Sequence, residues 1–471
     1  AKREWAKPDY NLYNTLFDVN SKVSAIVQEH SDTMTIEDVE AEDNGYRAEI
    51  QVVTVEPGGL TDEATQSKKT RLFFNFGQHA RELITSEVCL RLLSLLAMPI
   101  DELVARVAQR PDEQQRLKLI LNNVVLKIVP MENQMGRKKV EAGDLCERKN
   151  GRGVDPNRNW EVDWGVKAPD YDPNEEYPGT RPFSEPEAQM ILTQLKAFNP
   201  HGWVNVHSGM KALFMPYDHL ARIPDGEDVM YSILSDLNAK HCRGKCAVGS
   251  GGKSVGYLAH GTATDYIFER LKIPLVFTWE IYGNDRAHYL DCFNMFNPLS
   301  ADGYEDEVNN WSLAFFSLMN IMHQHPRIPR PEGLPEPLQR SEPIQNSFSA
   351  RQTPTGSSGV RYTFPPYQSK HEKLKQRIEE NKRNSQVQVN TQGVTKSAAD
   401  EFRLPEVRIN DALKQPQIEK VEKPQDESVN YMNVIMLVSV GVIIGLASGG
   451  NLNLNMFKGK SKRRSPRQMP Y

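Results

Sequence analysis

The chain has 471 residues, 39% of them apolar, and a formal net charge of −4. So slight a charge gives no footing for a nucleic-acid partner. The low apolar share, in a chain longer than one usual domain, sets aside a single core running the whole length.

Residues 71–77, Arg-Leu-Phe-Phe-Asn-Phe-Gly, form an apolar run that reads as a buried strand. It leads into His79-Ala80-Arg81-Glu82, and 83–96 reads as a helix. A histidine and a glutamate three apart at a strand-to-helix turn can both face one zinc ion, and catalytic zinc takes three protein ligands plus water. The plainer reading is a surface turn in which Glu82 favours the start of the next helix. Further on, Asp155-Pro156-Asn157-Arg158-Asn159-Trp160 follows Arg148, which lies ten residues before Arg158. A guanidinium grips a carboxylate through two parallel hydrogen bonds, and a peptide's free C-terminus is such a carboxylate. A second arginine near a metal stabilises the oxyanion of a tetrahedral intermediate. The plainer reading here is a salt-bridged loop.

Ser184-Glu185-Pro186-Glu187 reads as a capping box opening a helix to about Phe198. Residues 203–206 read as a short buried strand ending in His207-Ser208-Gly209, and open α/β sheets bind ligands at such strand ends. His207 is therefore the natural third ligand. Residues 273–279 form another apolar strand, ending in Glu280. A carboxylate there is costly unless paired or working, so Glu280 reads as the general base that activates a water at the zinc. A long amphipathic run over 305–323 closes the pattern. Strands alternating with helices argue for an α/β fold.

From Pro326 the character changes. Prolines crowd 326–343, and Ser, Gln, Lys and Glu dominate to Ser428, so 326–428 is expected to be a low-complexity, mostly disordered stalk. Residues 431–449 carry no charge over 19 positions, about enough to cross a bilayer of roughly 30 Å as one transmembrane helix. The tail 450–471 holds Lys458, Lys460, Lys462, Arg463, Arg464 and Arg467, with no acid after Glu427. The positive-inside rule makes that tail cytoplasmic, and anionic lipid is its expected partner. The domain ahead of the stalk then faces the lumen or the outside, as in a single-pass type I membrane protein of the secretory pathway.

Such an address permits disulfides among the five cysteines. Cys242 and Cys246 are placed to close a small loop, with Cys146–Cys292 as the second pairing. A structural zinc at Cys242 and Cys246 is the weaker reading, because no further ligand pair has suitable spacing. Cys89, inside the helix after the first motif, is expected to be a buried free thiol. Asn310-Trp311-Ser312 is a glycosylation sequon, but it falls in a helix, which speaks against its use.

Together these motifs resemble the zinc metallocarboxypeptidases, the carboxypeptidase A-like exopeptidases, over roughly residues 8–325. Four separated motifs stand in the family's order with nearly its spacing. The resemblance implies a catalytic domain over 1–325 with a mixed, mostly parallel central sheet and helices on both faces. It implies one zinc ion held by His79, Glu82 and His207, with Glu280 as general base and then acid. Arg148 would polarise the scissile carbonyl, while Asn157 and Arg158 hold the substrate's terminal carboxylate. Tyr257 falls where the family places a mobile tyrosine lid, and Arg81 would add positive potential in the cleft. Thr264 matches the base of the pocket for the C-terminal side chain; being small and neutral, it disfavours Lys or Arg there. Gly209 stands where digestive members carry tyrosine and is expected to open the subsite next to the scissile bond. Trp279 replaces a common Phe, and Ile281-Tyr282-Gly283 diverges, marking a distant branch. The start at Ala1 reads as a mature or trimmed form without the inhibitory prodomain of digestive relatives. The expected substrates are peptide or protein C-termini, with room for partners in a membrane complex. Two alternatives stand beside this: a membrane-tethered, non-catalytic binding or structural subunit on the same fold, and a non-peptide amide hydrolase.

Overall fold

The computed structural model describes residues 4–167, 171–254 and 258–335. Eight strands appear among these: β1 (Met34–Asp43), β2 (Tyr46–Val55), β3 (Thr70–Phe76), β4 (Val124–Val129), β5 (Gly202–His207), β6 (Ala212–Met215), β7 (Ala247–Ser250) and β8 (Leu275–Glu280). They form one sheet in the order β1-β2-β4-β3-β5-β8-β6-β7. β1 and β2 make an antiparallel hairpin at one edge. Its two-residue turn, Asn44-Gly45, has positive φ at both positions, as a twist-matched hairpin turn requires. β4, β3, β5 and β8 run parallel to one another in the centre. β6 returns antiparallel against β8, with β7 parallel beyond it. The sheet is thus mixed, and its parallel part is the central block.

The central strands are buried on both faces, which explains their unbroken apolar runs. On β3, Leu72, Phe74 and Phe76 join one core cluster and Phe73 joins the other. The first cluster takes in the helices Leu83–Leu96 and Ala301–Ile321. The second takes in the helix Pro186–Phe198. Helices therefore cover both faces. The strand expected over 273–279 begins at Leu275 and includes Glu280, because Pro274 cannot donate to the ladder.

Two local expectations change. The helix Pro186–Phe198 has Glu185 at its N-cap with no side-chain cap bond, so the capping box does not form. Ser184 instead donates its hydroxyl to Glu185 and accepts from the Asn159 amide. The packed unit also continues past residue 325. Ile328 and Leu334 are buried, and the Pro329 carbonyl accepts the Thr70 hydroxyl proton.

Two disulfides form, Cys146–Cys292 and Cys242–Cys246, while Cys89 is free and buried. Asn310 lies within the helix Ala301–Ile321 and donates its amide to the His241 carbonyl. No helix among the described residues is long and apolar enough to cross a membrane. The expected span 431–449, the basic tail, the stalk beyond Pro335 and Tyr257 lie outside the described residues.

Candidate active site

β3 and β5 deliver the metal-ligand candidates to the same sheet edge. After β3, His79 and Glu82 lie in the turn that enters the helix Leu83–Leu96. Glu82 occupies that helix's N-cap position but makes no side-chain cap bond, so the plainer capping role is not the one taken. Its two oxygens go instead to the two histidines. Oε1 lies 2.9 Å from His79 Nδ1 and Oε2 lies 3.0 Å from His207 Nδ1. The two histidine Nδ1 atoms are themselves 3.0 Å apart. All three side chains are buried, and their ligand atoms lie within 4.8 Å of one another.

That convergence is the test of fit for a cation. His79 Nε2 lies 3.2 Å from Asp155 Oδ1, a bond that places the ring proton on Nε2 and leaves Nδ1 bare. A bare nitrogen, a second ring nitrogen and a carboxylate facing one point form an arrangement that a cation is able to bridge. Two imidazoles and one carboxylate are a zinc donor set, and the buried carboxylate behind His79 completes the usual outer support. The charges agree. Burial opposes ionisation of Glu82, yet the two histidines hold its carboxyl well below the ordinary range. Burial and Arg148 push His79 towards its neutral form, the ligating one. For His207 burial acts in the same direction, but Glu82 outweighs it and raises the ring's basicity.

Asp155 joins the ligands to the arginines. Fully buried, it accepts the Asn157 N–H at 2.9 Å on Oδ1 and the Arg148 Nε–H at 2.8 Å on Oδ2. Burial works against its charge, but Arg148 holds the carboxyl well below its usual value. Arg148 lines the cleft, and its terminal N–H groups have no partner among the described residues. Asn157 accepts the Ala263 N–H on Oδ1 at 2.9 Å, which fixes the amide orientation and leaves its NH2 group as a donor in the cleft. Arg158 also lines the cleft and is bonded to Glu176 at 2.9 Å. Gly261, with φ +69°, packs against this turn. A Cβ there would lie 2.4 Å from the Arg158 carbonyl oxygen, so only glycine admits the approach.

Glu280 sits across one rung from His207, because β5 and β8 pair His207 with Glu280 in register. It accepts the Met210 N–H, while Oε2 is buried with no partner among the described residues. Burial and the Glu82 charge push its carboxyl up to about 7. Trp279 points the other way, into the core against Phe315 and Trp311. Alternation along β8 thus separates the cleft residues Thr278 and Glu280 from the core residue between them.

Four other expectations meet the structure here. Arg81 is not among the cleft-lining residues; it pairs with Glu175 and stacks over Phe296, so its charge is compensated outside the cleft. Thr264 is fully buried, with its hydroxyl 2.8 Å from that of Thr278, which does line the cleft. Gly209 does not open free space. A Cβ there would lie 2.7 Å from Phe296, whose ring fills that volume. Tyr257 falls outside the described residues.

Sequence reasoning assigned no role to Asp155, although its place just ahead of Pro156-Asn157-Arg158 was a signal of turn capping. It also passed over a fully buried polar layer. Asn205 on β5 donates to Gln78, Asn75 on β3 donates to Asn205, and Asn75 and Gln78 both donate to Glu132. Burial pushes the Glu132 carboxyl up to about 7.

The profile of the zinc carboxypeptidase family matches residues 20–306. Among curated proteins, carboxypeptidase B of Astacus astacus is 23% identical over 313 residues, 63% of this chain and 95% of that protein. Carboxypeptidase A1 of Homo sapiens is 24% identical over 326 residues, 68% of this chain and 72% of that one. Among solved structures, carboxypeptidase A from Helicoverpa armigera superposes with a TM-score of 0.53 at 19% identity, covering 69% of this chain and 77% of that chain. Thrombin-activatable fibrinolysis inhibitor superposes with a TM-score of 0.54 at 21% identity, covering 68% and 76%. At such identities the structural likeness speaks for the fold alone.

Proposed function

This chain belongs to the zinc carboxypeptidase family, and we propose that it removes single residues from the free C-termini of peptides or proteins. The observation that carries the proposal is the cleft shared by three kinds of group: the ligand candidates His79 and His207, the carboxylate-binding candidates Asn157 and Arg158, and the acid Glu280, whose Oε2 has no partner among the described residues.

His79, Glu82 and His207 would hold one zinc ion, which supplies a Lewis acid that polarises a carbonyl and makes a water acidic at neutral pH. Asn157 and Arg158 receive the substrate's terminal carboxylate, so only the last peptide bond reaches the centre. Arg148 donates its free N–H groups to the scissile carbonyl oxygen as negative charge develops there. Glu280 takes a proton from the attacking water and later gives it to the leaving amine. Its elevated pKa suits both halves of that exchange. Tyr257 is assigned as the lid over the bound terminus.

We place this activity on the lumenal or outer side of a membrane, tethered through the span 431–449 with the basic tail in the cytoplasm. The uncharged run and the lysine- and arginine-rich tail support that placement, as do the two disulfides.

The test uses the purified full chain on paired peptides with free and amidated C-termini, with and without a chelator. Single-residue release from free termini alone, lost on chelation and restored by zinc, is the expected outcome. Glu280→Gln should reduce turnover by about 100- to 10,000-fold with metal content unchanged. Near-normal hydrolysis by that variant would sink the assignment of the base.

A further inference from the structure

Glu132, just after β4, is an acid that the mechanism above does not use. It is fully buried, and no lysine, arginine or histidine among the described residues forms an ion pair with it. Its carboxylate is held by carboxamides. Asn75 donates to Oε2, and Gln78 Nε2 lies 3.2 Å from Oε1 and 3.1 Å from Oε2. The network closes on itself, because Asn75 also donates to Asn205 at 3.1 Å and Asn205 donates to Gln78 at 2.8 Å. Accepting on both oxygens and donating from neither is the pattern of an ionised carboxyl.

The network is built into both elements that carry the metal-ligand candidates. Gln78 directly precedes His79. Asn75 and Asn205 pair on one rung of β3 and β5, and Asn205 stands two residues before His207, on the same face of β5. The backbone reinforces the join. The Glu132 N–H donates to the Phe76 carbonyl at 2.9 Å, and the Asn133 N–H donates to the Gly77 carbonyl at 3.0 Å. The Asn133 amide donates to the Gln78 carbonyl at 3.2 Å. The segment after β4 thus grips the turn that carries His79 through backbone and side chain together.

Such a layer costs stability. One pleat earlier on the same face, Phe73 and Trp203 form a fully buried apolar pair, so apolar side chains fill this sheet readily. Burial pushes the Glu132 carboxyl up to about 7, which measures the strain of a charge held there without a cation. A positive charge in the centre above it and a single fixed register are what such a buried charge gains. We propose that Glu132 is a positioning residue of the metal centre. Through Asn75, Gln78 and Asn205 it holds the His79 turn and the His207 strand in one arrangement, and its negative charge raises the affinity of that centre for a divalent cation. This rests on the zinc reading of the site and deepens it.

The experiment measures two quantities on the full chain at about pH 8, above the Glu132 value. One is zinc affinity in competition with a chromophoric chelator, and the other is the Tm of the metal-free chain. Glu132→Gln keeps the shape and removes the charge. Its zinc dissociation constant should rise about 10- to 100-fold. The metal-free Tm should stay level or rise, since a buried unpaired charge has gone. A role in packing alone would do the reverse, lowering the metal-free Tm while the folded protein keeps its affinity. Glu132→Asp restores the charge and should bind zinc more tightly than Glu132→Gln. An affinity of Glu132→Gln within about twofold of wild type overturns the proposal. So does a metal-free Tm that falls together with affinity, or a Glu132→Asp variant no tighter than Glu132→Gln. A wild type that binds no zinc defeats the zinc reading and this proposal with it. Tight zinc in the wild type with an unaffected variant defeats this proposal alone.

Discussion

Asp155 couples two halves of the chemistry through a single carboxylate. One oxygen supports the ring of His79 and the other holds Arg148. Asp155→Asn keeps the shape but removes the charge. Outer-sphere changes of this kind weaken metal affinity by about 10- to 100-fold, and the loss should appear in competition with a chromophoric chelator. The same variant should also lower kcat, because Arg148 loses its anchor. Glu280 makes a separate prediction. As the proposed base it works as a carboxylate, so kcat/KM should fall as pH drops through its pKa. Burial and Glu82 place that value near 7 without the metal. A bound cation lowers it, so the acid limb of the profile should lie at or below about 7 and vanish in Glu280→Gln. Glu176 makes a third. Its carboxylate is bonded to Arg158, the group proposed to receive the substrate's own carboxylate. Glu176→Gln should therefore lower KM by about two- to tenfold with kcat little changed, as expected when a charged competitor worth about 1 kcal/mol is removed. An unchanged or higher KM would show that Glu176 positions Arg158 rather than competing for it.

At the scale of elements, the parallel pair β5–β8 sets the distance between a metal ligand and the base, because His207 and Glu280 share one rung. Period-2 alternation then sends Trp279 into the core, where its ring meets Phe315 at 4.8 Å. Trp279→Ala should destabilise the domain by about 3–5 kcal/mol in denaturant titration, with activity lost only in proportion to unfolding. The same alternation explains which elements the sequence revealed. β3, β5 and β8 are buried on both faces, so each stands out as an apolar run ending in a residue with chemistry. The edge hairpin β1–β2 stood out less, since acidic residues interrupt β1 at Glu37, Asp38, Glu40 and Glu42, all exposed. Ser184 misled because its cap signal is local, while its actual partner, Asn159, lies 25 residues away in sequence. The candidates for ligand, base and carboxylate-binding roles stood out in the sequence because each ends a strand or opens a turn.

Across the whole molecule, the Cys146–Cys292 bridge ties the loop carrying Arg148 to the short helix Cys292–Phe296. Phe296 from that helix fills the space beside Gly209 and stacks under Arg81. Replacing Cys146 and Cys292 together by serine should lower stability by about 2–5 kcal/mol. Arg148 should lose its register as well, so kcat should drop under conditions where the variant is still folded by circular dichroism. Replacing Cys242 and Cys246, which close a loop far shorter in sequence, should cost less by the same measurement.

The order of the strands also has a meaning in time. β8 is the last strand of the sheet to be synthesised, yet it lies between β5 and β6. A chain emerging from its N-terminus presents His79, Glu82 and His207 well before Glu280. Until β8 pairs, the middle of the sheet has an empty slot between β5 and β6. Filling that slot is the step that brings Glu280 beside His207. On the proposed mechanism, the chain would acquire its base only as the core closes.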